Sequence, residues 1–246
     1  MTRKMKTSLV IILLICMSAA VYLIQFLLFG RPAETAFYFL EDLAFVPISV
    51  ILVTLGVNTI MNRRDRLAML EKVSIVVNEF YSEAGTEMIT SLRGYLVNLD
   101  ELSEKLQLSG HWQDKDFQCA RAFLCDYPIA VDIRSNNLYE LLSLLENKKD
   151  QLLRLFENAN LMEHDSFTDM LWAVYHLYDE LRSRESLDDL GAADIKHLNI
   201  DIQRAVRLLL IEWIDSMRAL KVRYPYLYSL AVRKCPFGKT KINVES

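Results

Sequence analysis

Two long uncharged apolar runs sit close together near the N-terminus, and they constrain this chain more than any other feature. Residues 8–29 carry no charged side chain and are mostly Leu, Ile, Val, Ala and Phe. An α-helix of that length rises about 33 Å, enough for a hydrocarbon core of roughly 30 Å. A second run covers residues 36–60. Glu41 and Asp42 interrupt it near its start, and Pro47 is expected to kink it. A cleaved signal peptide is the rival reading of the first run, because Ser18, Ala19 and Ala20 resemble a cleavage site. The run continues through Val21 to Phe29, longer than a signal core. Ile15 before Cys16 also rules out a lipobox. Two spans, about 8–29 and 37–60, make a transmembrane hairpin over residues 1–62.

Charge orients the hairpin. Arg3, Lys4 and Lys6 precede the first run, and Arg63, Arg64 and Arg66 follow the second. The connecting loop holds Arg31 as its only basic residue, near Gly30 and Pro32. Basic flanks stay in the cytoplasm, so a multi-pass protein of the cell (inner) membrane with both termini cytoplasmic is expected.

Past the second run the pattern is helical throughout. With only 7 Gly and 5 Pro in 246 residues, long helices with short connections are expected, not a sheet. An apolar seam runs through Leu67, Leu70, Val73, Val77, Phe80, Ala84, Met88, Leu92, Tyr95, Leu99, Leu102 and Leu106. Its spacing is that of a coiled coil, so residues 63–108 read as a long juxtamembrane helix that Gly85 and Gly94 can bend. The seam packs either inside its own bundle or against a second copy. Residues 109–222 read as a helical bundle, with a helix over about 137–158. Another helix starts near Ser166, with Asp169 as a partner in a capping box. The last, over about 193–222, is central because its apolar stripe is wide. The fold class is all-α.

The charge is divided. Residues 67–215 hold 14 basic and 27 acidic side chains, a balance of −13, whereas residues 216–246 carry +6. Residues 223–246 therefore form a basic aromatic tail suited to anionic lipid. Its surface would comprise Arg63, Arg64, Arg66, Lys221, Arg223, Arg233 and Lys234. Pairing of these residues with the acidic bundle is the competing reading. The acidic body argues against nucleic acid as a partner. The four cysteines, Cys16, Cys119, Cys125 and Cys235, make no CxxC pair and suggest neither zinc nor a disulfide framework.

Few residues suggest chemistry. Glu41 and Asp42 at the head of the second run could line an ion pathway, or could simply favour a helix N-terminus at a wet interface. Glu79, Glu83 and Glu87 share one helix face, most simply a solvated one. Asp194 and His197 have a metal-ligand spacing, but only one such pair occurs. Glu79, His164, His176 and Asp179 make a candidate pocket, against the simpler reading of hydrogen-bonded histidines. No phosphate-binding glycine loop or nucleophile elbow is present, and neither metal nor cofactor is expected.

Four stretches carry a family likeness: Leu43-Ala44-Phe45-Val46-Pro47-Ile48, Phe80-Tyr81-Ser82-Glu83-Ala84-Gly85-Thr86, Ser166 to Val174, and Tyr224 to Arg233 with Pro236-Phe237. Together they resemble an uncharacterised family of prokaryotic two-span membrane proteins with a cytoplasmic helical domain. The resemblance implies architecture and no chemistry. The expected function is a non-enzymatic interaction, scaffold or sensory module at the cytoplasmic face, engaging a cytoplasmic protein or its own copies. The alternatives are a small oligomeric ion channel or transporter accessory using Glu41 and Asp42, and an enzyme using His176 with nearby carboxylates.

Overall fold

A computed structural model describes residues 16–28 and 30–238. The chain divides into two compact units, Met1–Arg66 and Leu67–Ser246. Arg3, Lys4, Lys6 and the start of the first apolar run lie outside the described residues. So do Lys239, Lys241 and Glu245 of the tail, and the side chains of Arg63, Arg66, Leu67 and Leu70.

The first unit holds α1 (Cys16–Leu28) and the N-terminal part of α2 (Pro32–Phe80). Gly30, at φ +60°, ends α1: its N–H donates to the Phe26 carbonyl at 3.0 Å, a conformation that favours glycine. Beyond that turn the two helices touch. Tyr22 donates to Asp42 Oδ2 at 2.6 Å, and its ring meets Phe39 edge-on. Along Ala36–Val57 the chain is long and apolar enough to cross a membrane, and none of that window is buried. This is the one such helix among the described residues. The expected second span thus has a helical counterpart. The described part of the first is a shorter apolar helix. α2 continues through Pro47.

In the second unit the expected single helix to residue 108 is broken. α2 ends at Phe80 and one π-helical turn follows, Tyr81–Gly85. The Thr86 hydroxyl and N–H both donate to the Tyr81 carbonyl. A Cβ on Gly85 would stand 2.5 Å from the Tyr81 ring and 2.8 Å from the Phe80 ring, so a side chain there would force those buried rings to move. The helix resumes as α3 (Thr86–Leu92) and tightens into a 3₁₀ turn over Arg93–Tyr95. It then stops, because Leu96 is extended. Asn136 fills the space beside Gly94, and Leu96 bridges Val131 in antiparallel fashion. α4 (Leu99–Leu106) is a separate element. Every described seam residue from Val73 to Leu106 is buried in the chain's own core except half-buried Leu99. The seam packs within the bundle.

The remaining helices are α5 (Asp114–Asp126), α6 (Leu138–Phe156), α7 (Ala159–Met162), α8 (Asp165–Arg182), α9 (Ala192–Arg223) and α10 (Pro225–Arg233). Asn137 caps α6 by accepting from the Tyr139 N–H. α8 begins one residue before the expected cap, so Ser166 lies inside its first turn and His164 precedes it. α9 is the axis of the bundle, packing on α8, α5, α10 and α3. Its stripe from Leu198 through Ile202, Ala205, Leu209, Trp213 and Met217 to Leu220 is buried. Arg207 donates to the carbonyls of Leu124, Cys125 and Tyr127, closing the C-terminus of α5. Pro225 starts α10 at its first turn, where a missing N–H costs nothing. The expected basic tail is therefore partly an integral element. Tyr228, Cys235 and Phe237 are buried.

Candidate functional site

The packing of α8 on α9 joins two copies of one spacing. His176 and Glu180 lie four residues apart on α8, and His197 and Asp201 lie four apart on α9. That interval places each pair on one helix face, a turn apart. His176 Nε2 stands 3.6 Å from Asp201 Oδ1 and 3.9 Å from Glu180 Oε1. His197 Nε2 stands 3.1 Å from Asp201 Oδ2 and 3.5 Å from Glu180 Oε2. Both rings are exposed, but Asp201 is only 3% exposed. Arg184 binds Glu180 Oε2 at 3.0 Å and reaches Asp194 at 3.4 Å. Arg204 lies 3.5 Å from Asp201 Oδ1. Burial pushes the Glu180 carboxyl up. The bound Arg184 and the nearby charges of Arg184, His197 and His176 outweigh it and hold Glu180 below the usual range.

A second polar locus lies along α2 and α9. Glu212 is 4% exposed and Oε1 has no hydrogen-bond partner. Ser74 Oγ and Asn78 Nδ2 are buried and unpartnered as well, while Asn78 Oδ1 accepts from Ser216 at 2.8 Å. These groups and His164 line a cavity of about 500 Å³. Burial raises the Glu212 pKa above the usual glutamate range, as does the charge of Asp215. A Ser166 hydrogen bond, His164 and Arg121 oppose it. Another cavity, of about 460 Å³ and largely apolar, lies between the Tyr81–Gly85 turn and the α9–α10 pair.

The residues expected to share a pocket stand apart. Glu79 lines the apolar cavity, His164 lines the Glu212 cavity, and His176 joins the cluster between α8 and α9. Asp179 is exposed and outside that cluster. Asp194 meets Arg184 and does not pair with His197 as its spacing suggested. The glutamate stripe is partly engaged, since Lys148 pairs with Glu87 and Gln151 donates to Glu83. Of the basic set, Lys221 is bound to the Gly110 and Trp112 carbonyls and lies over the Tyr228 ring. Arg233 donates to Ser229, and Lys234 lines the apolar cavity. Arg64 and Arg223 are exposed. Arg218, just before the basic tail, pairs with Asp114. Glu41 is exposed, while Asp42 holds Tyr22.

Sequence reasoning missed Asp201 and Glu212. The repeat of His-x-x-x-acid on two successive helices was a usable signal for the first. Nothing in the sequence distinguishes Glu212 from the exposed acids of the same helix.

Residues 69–233 match the profile described as "Uncharacterized protein MJ1433, C-terminal helical domain", and residues 2–61 match "MJ1433, N-terminal helical domain". The chain is 43% identical over 235 residues to the Uncharacterized protein MJ1433 of Methanocaldococcus jannaschii, covering 95% of this chain and 94% of that protein. No solved structure matches it.

Proposed function

The chain belongs to the MJ1433 family, and from that premise we propose that it is a membrane-anchored, non-enzymatic module whose helical bundle receives a ligand or partner at the cytoplasmic face. One observation carries the reading: Ala36–Val57 is long and apolar enough to cross a membrane, holds Glu41 and Asp42 as its only charges and has no buried share, so lipid is the solvent that suits it. The family's division at residues 61 and 69 coincides with the change from exposed to buried apolar surface along α2. Among the cavities of ligand size in the bundle, the one beside Glu212 contains buried polar groups without partners. A hairpin with both ends inside follows from the basic flanks. Membranes washed in alkaline carbonate test the anchor, and the full chain is expected in the pellet. A reporter fused after Ser246 tests the orientation and is expected to be active only in the cytoplasm. Release by carbonate, or activity only on the outer face, overturns the reading.

A further inference from the structure

We propose that His176, Glu180, His197 and Asp201 bind one divalent transition-metal ion of the zinc class. The donors come from two helices whose packing is part of the core, so the site is built on rigid elements. One donor atom each from His176, His197 and Asp201 lies within 4.8 Å of the others. Donors around a single zinc ion stand roughly 3–3.5 Å apart, given Zn–N and Zn–O distances of about 2.1 Å. The 3.1 Å and 3.6 Å separations from Asp201 are already near that range. The exposed imidazole rings can turn through the remainder.

Asp201 supplies the independent observation. Its carboxylate is almost fully buried, and Oδ2 has no hydrogen-bond partner even though His197 Nε2 lies 3.1 Å away. A buried carboxylate oxygen that accepts no hydrogen bond is costly, and a cation between it and the ring nitrogens offsets that cost. Two imidazoles with carboxylates form a donor set that suits zinc, and a surface made of acids alone would not. Arg184 and Arg204 lie outside the four donors. Each contacts a carboxylate oxygen, which fixes the orientation of the donor groups. The ion would join α8 to α9 across their connecting loop.

The full chain, purified in detergent without a polyhistidine tag and stripped with EDTA, is titrated with Zn²⁺, and bound metal is counted after dialysis. One ion per chain is expected. His176→Gln and His197→Gln, both at exposed positions, should each weaken binding at least tenfold while leaving the helical circular dichroism unchanged. Co²⁺ as a second probe should give a visible absorption band that the His176→Gln/His197→Gln variant lacks. His111→Gln with His164→Gln is the control and should bind as the parent does. Zn²⁺ retention by the His176→Gln/His197→Gln variant equal to the parent overturns the proposal. So does an equal loss in the control, or no bound metal in the parent.

Discussion

The apolar stretch of α2 and the long helix α9 are both rich in Leu, Ile and Val, yet they treat those side chains oppositely. In α2, Leu52 is 62% exposed and its apolar neighbours from Phe37 to Val57 are similarly uncovered. In α9, Leu198, Ile202, Leu209 and Ile214 are fully buried. Apolar side chains are the majority in both, and it is the charges between them that separate the two helices. α9 interleaves its stripe with Lys196, Arg204, Arg207 and Asp215, so one face must find a core. Past Glu41 and Asp42 the stretch of α2 carries no charge up to Val57, and a bundle cannot cover it all round. The same hydrophobic term thus buries one helix in protein and leaves the other uncovered, long and apolar enough to cross a membrane.

Substitutions can break or sharpen that contrast. The largest effect is expected for Trp213→Ala, which empties the centre of α9 and should cost the bundle about 3–5 kcal/mol, read by thermal unfolding. Its carbonate-resistant fraction should not change, and a parallel fall would show that the two regions are not independent. Next is Leu52→Arg, which places a charge at mid-span at roughly 2.5–3.5 kcal/mol. It should lower the membrane-bound fraction while the bundle keeps its melting temperature. Gly85→Ala comes third. The added methyl meets the Tyr81 ring and should destabilise the bundle by about 1–3 kcal/mol.

The smallest effect is a gain. Glu212 has a folded pKa above its unfolded value near 4.5, because burial disfavours its anion. The native state is therefore spared below that value and loses stability as pH rises through the folded pKa. Glu212→Gln should stabilise the bundle slightly at neutral pH, read as a higher melting temperature. The advantage should shrink as pH drops below the unfolded value. Melting curves across pH check it, and a gain that persists in acid would contradict the burial argument.

Much of the fold was legible from periodicity. The seam from Val73 to Leu106 and the stripe of α9 lie where their spacing put them, and Pro225 separates two helices as its chemistry requires. The break between α3 and α4 was not legible. It depends on Asn136 packing beside Gly94 and on Leu96 bridging Val131, contacts between distant parts of the chain. The sites were less legible still. His164 and His176 look equivalent in sequence, yet one lines a cavity beside Glu212 and the other faces Asp201. Lys221 reads as a mobile surface cation but is tied to two carbonyls.

The sequence by itself determined the helical class, the position of the long uncharged apolar stretch and the faces that must be buried. These follow from local quantities: the period of apolar residues, the scarcity of Gly and Pro, and the lack of charge along a run. Only the tertiary structure decided which partners those faces take. It set His176 beside Asp201, buried Glu212 with Oε1 unpaired and turned the seam inward. A side chain's charge and burial depend on neighbours far away in sequence, and packing alone brings them together.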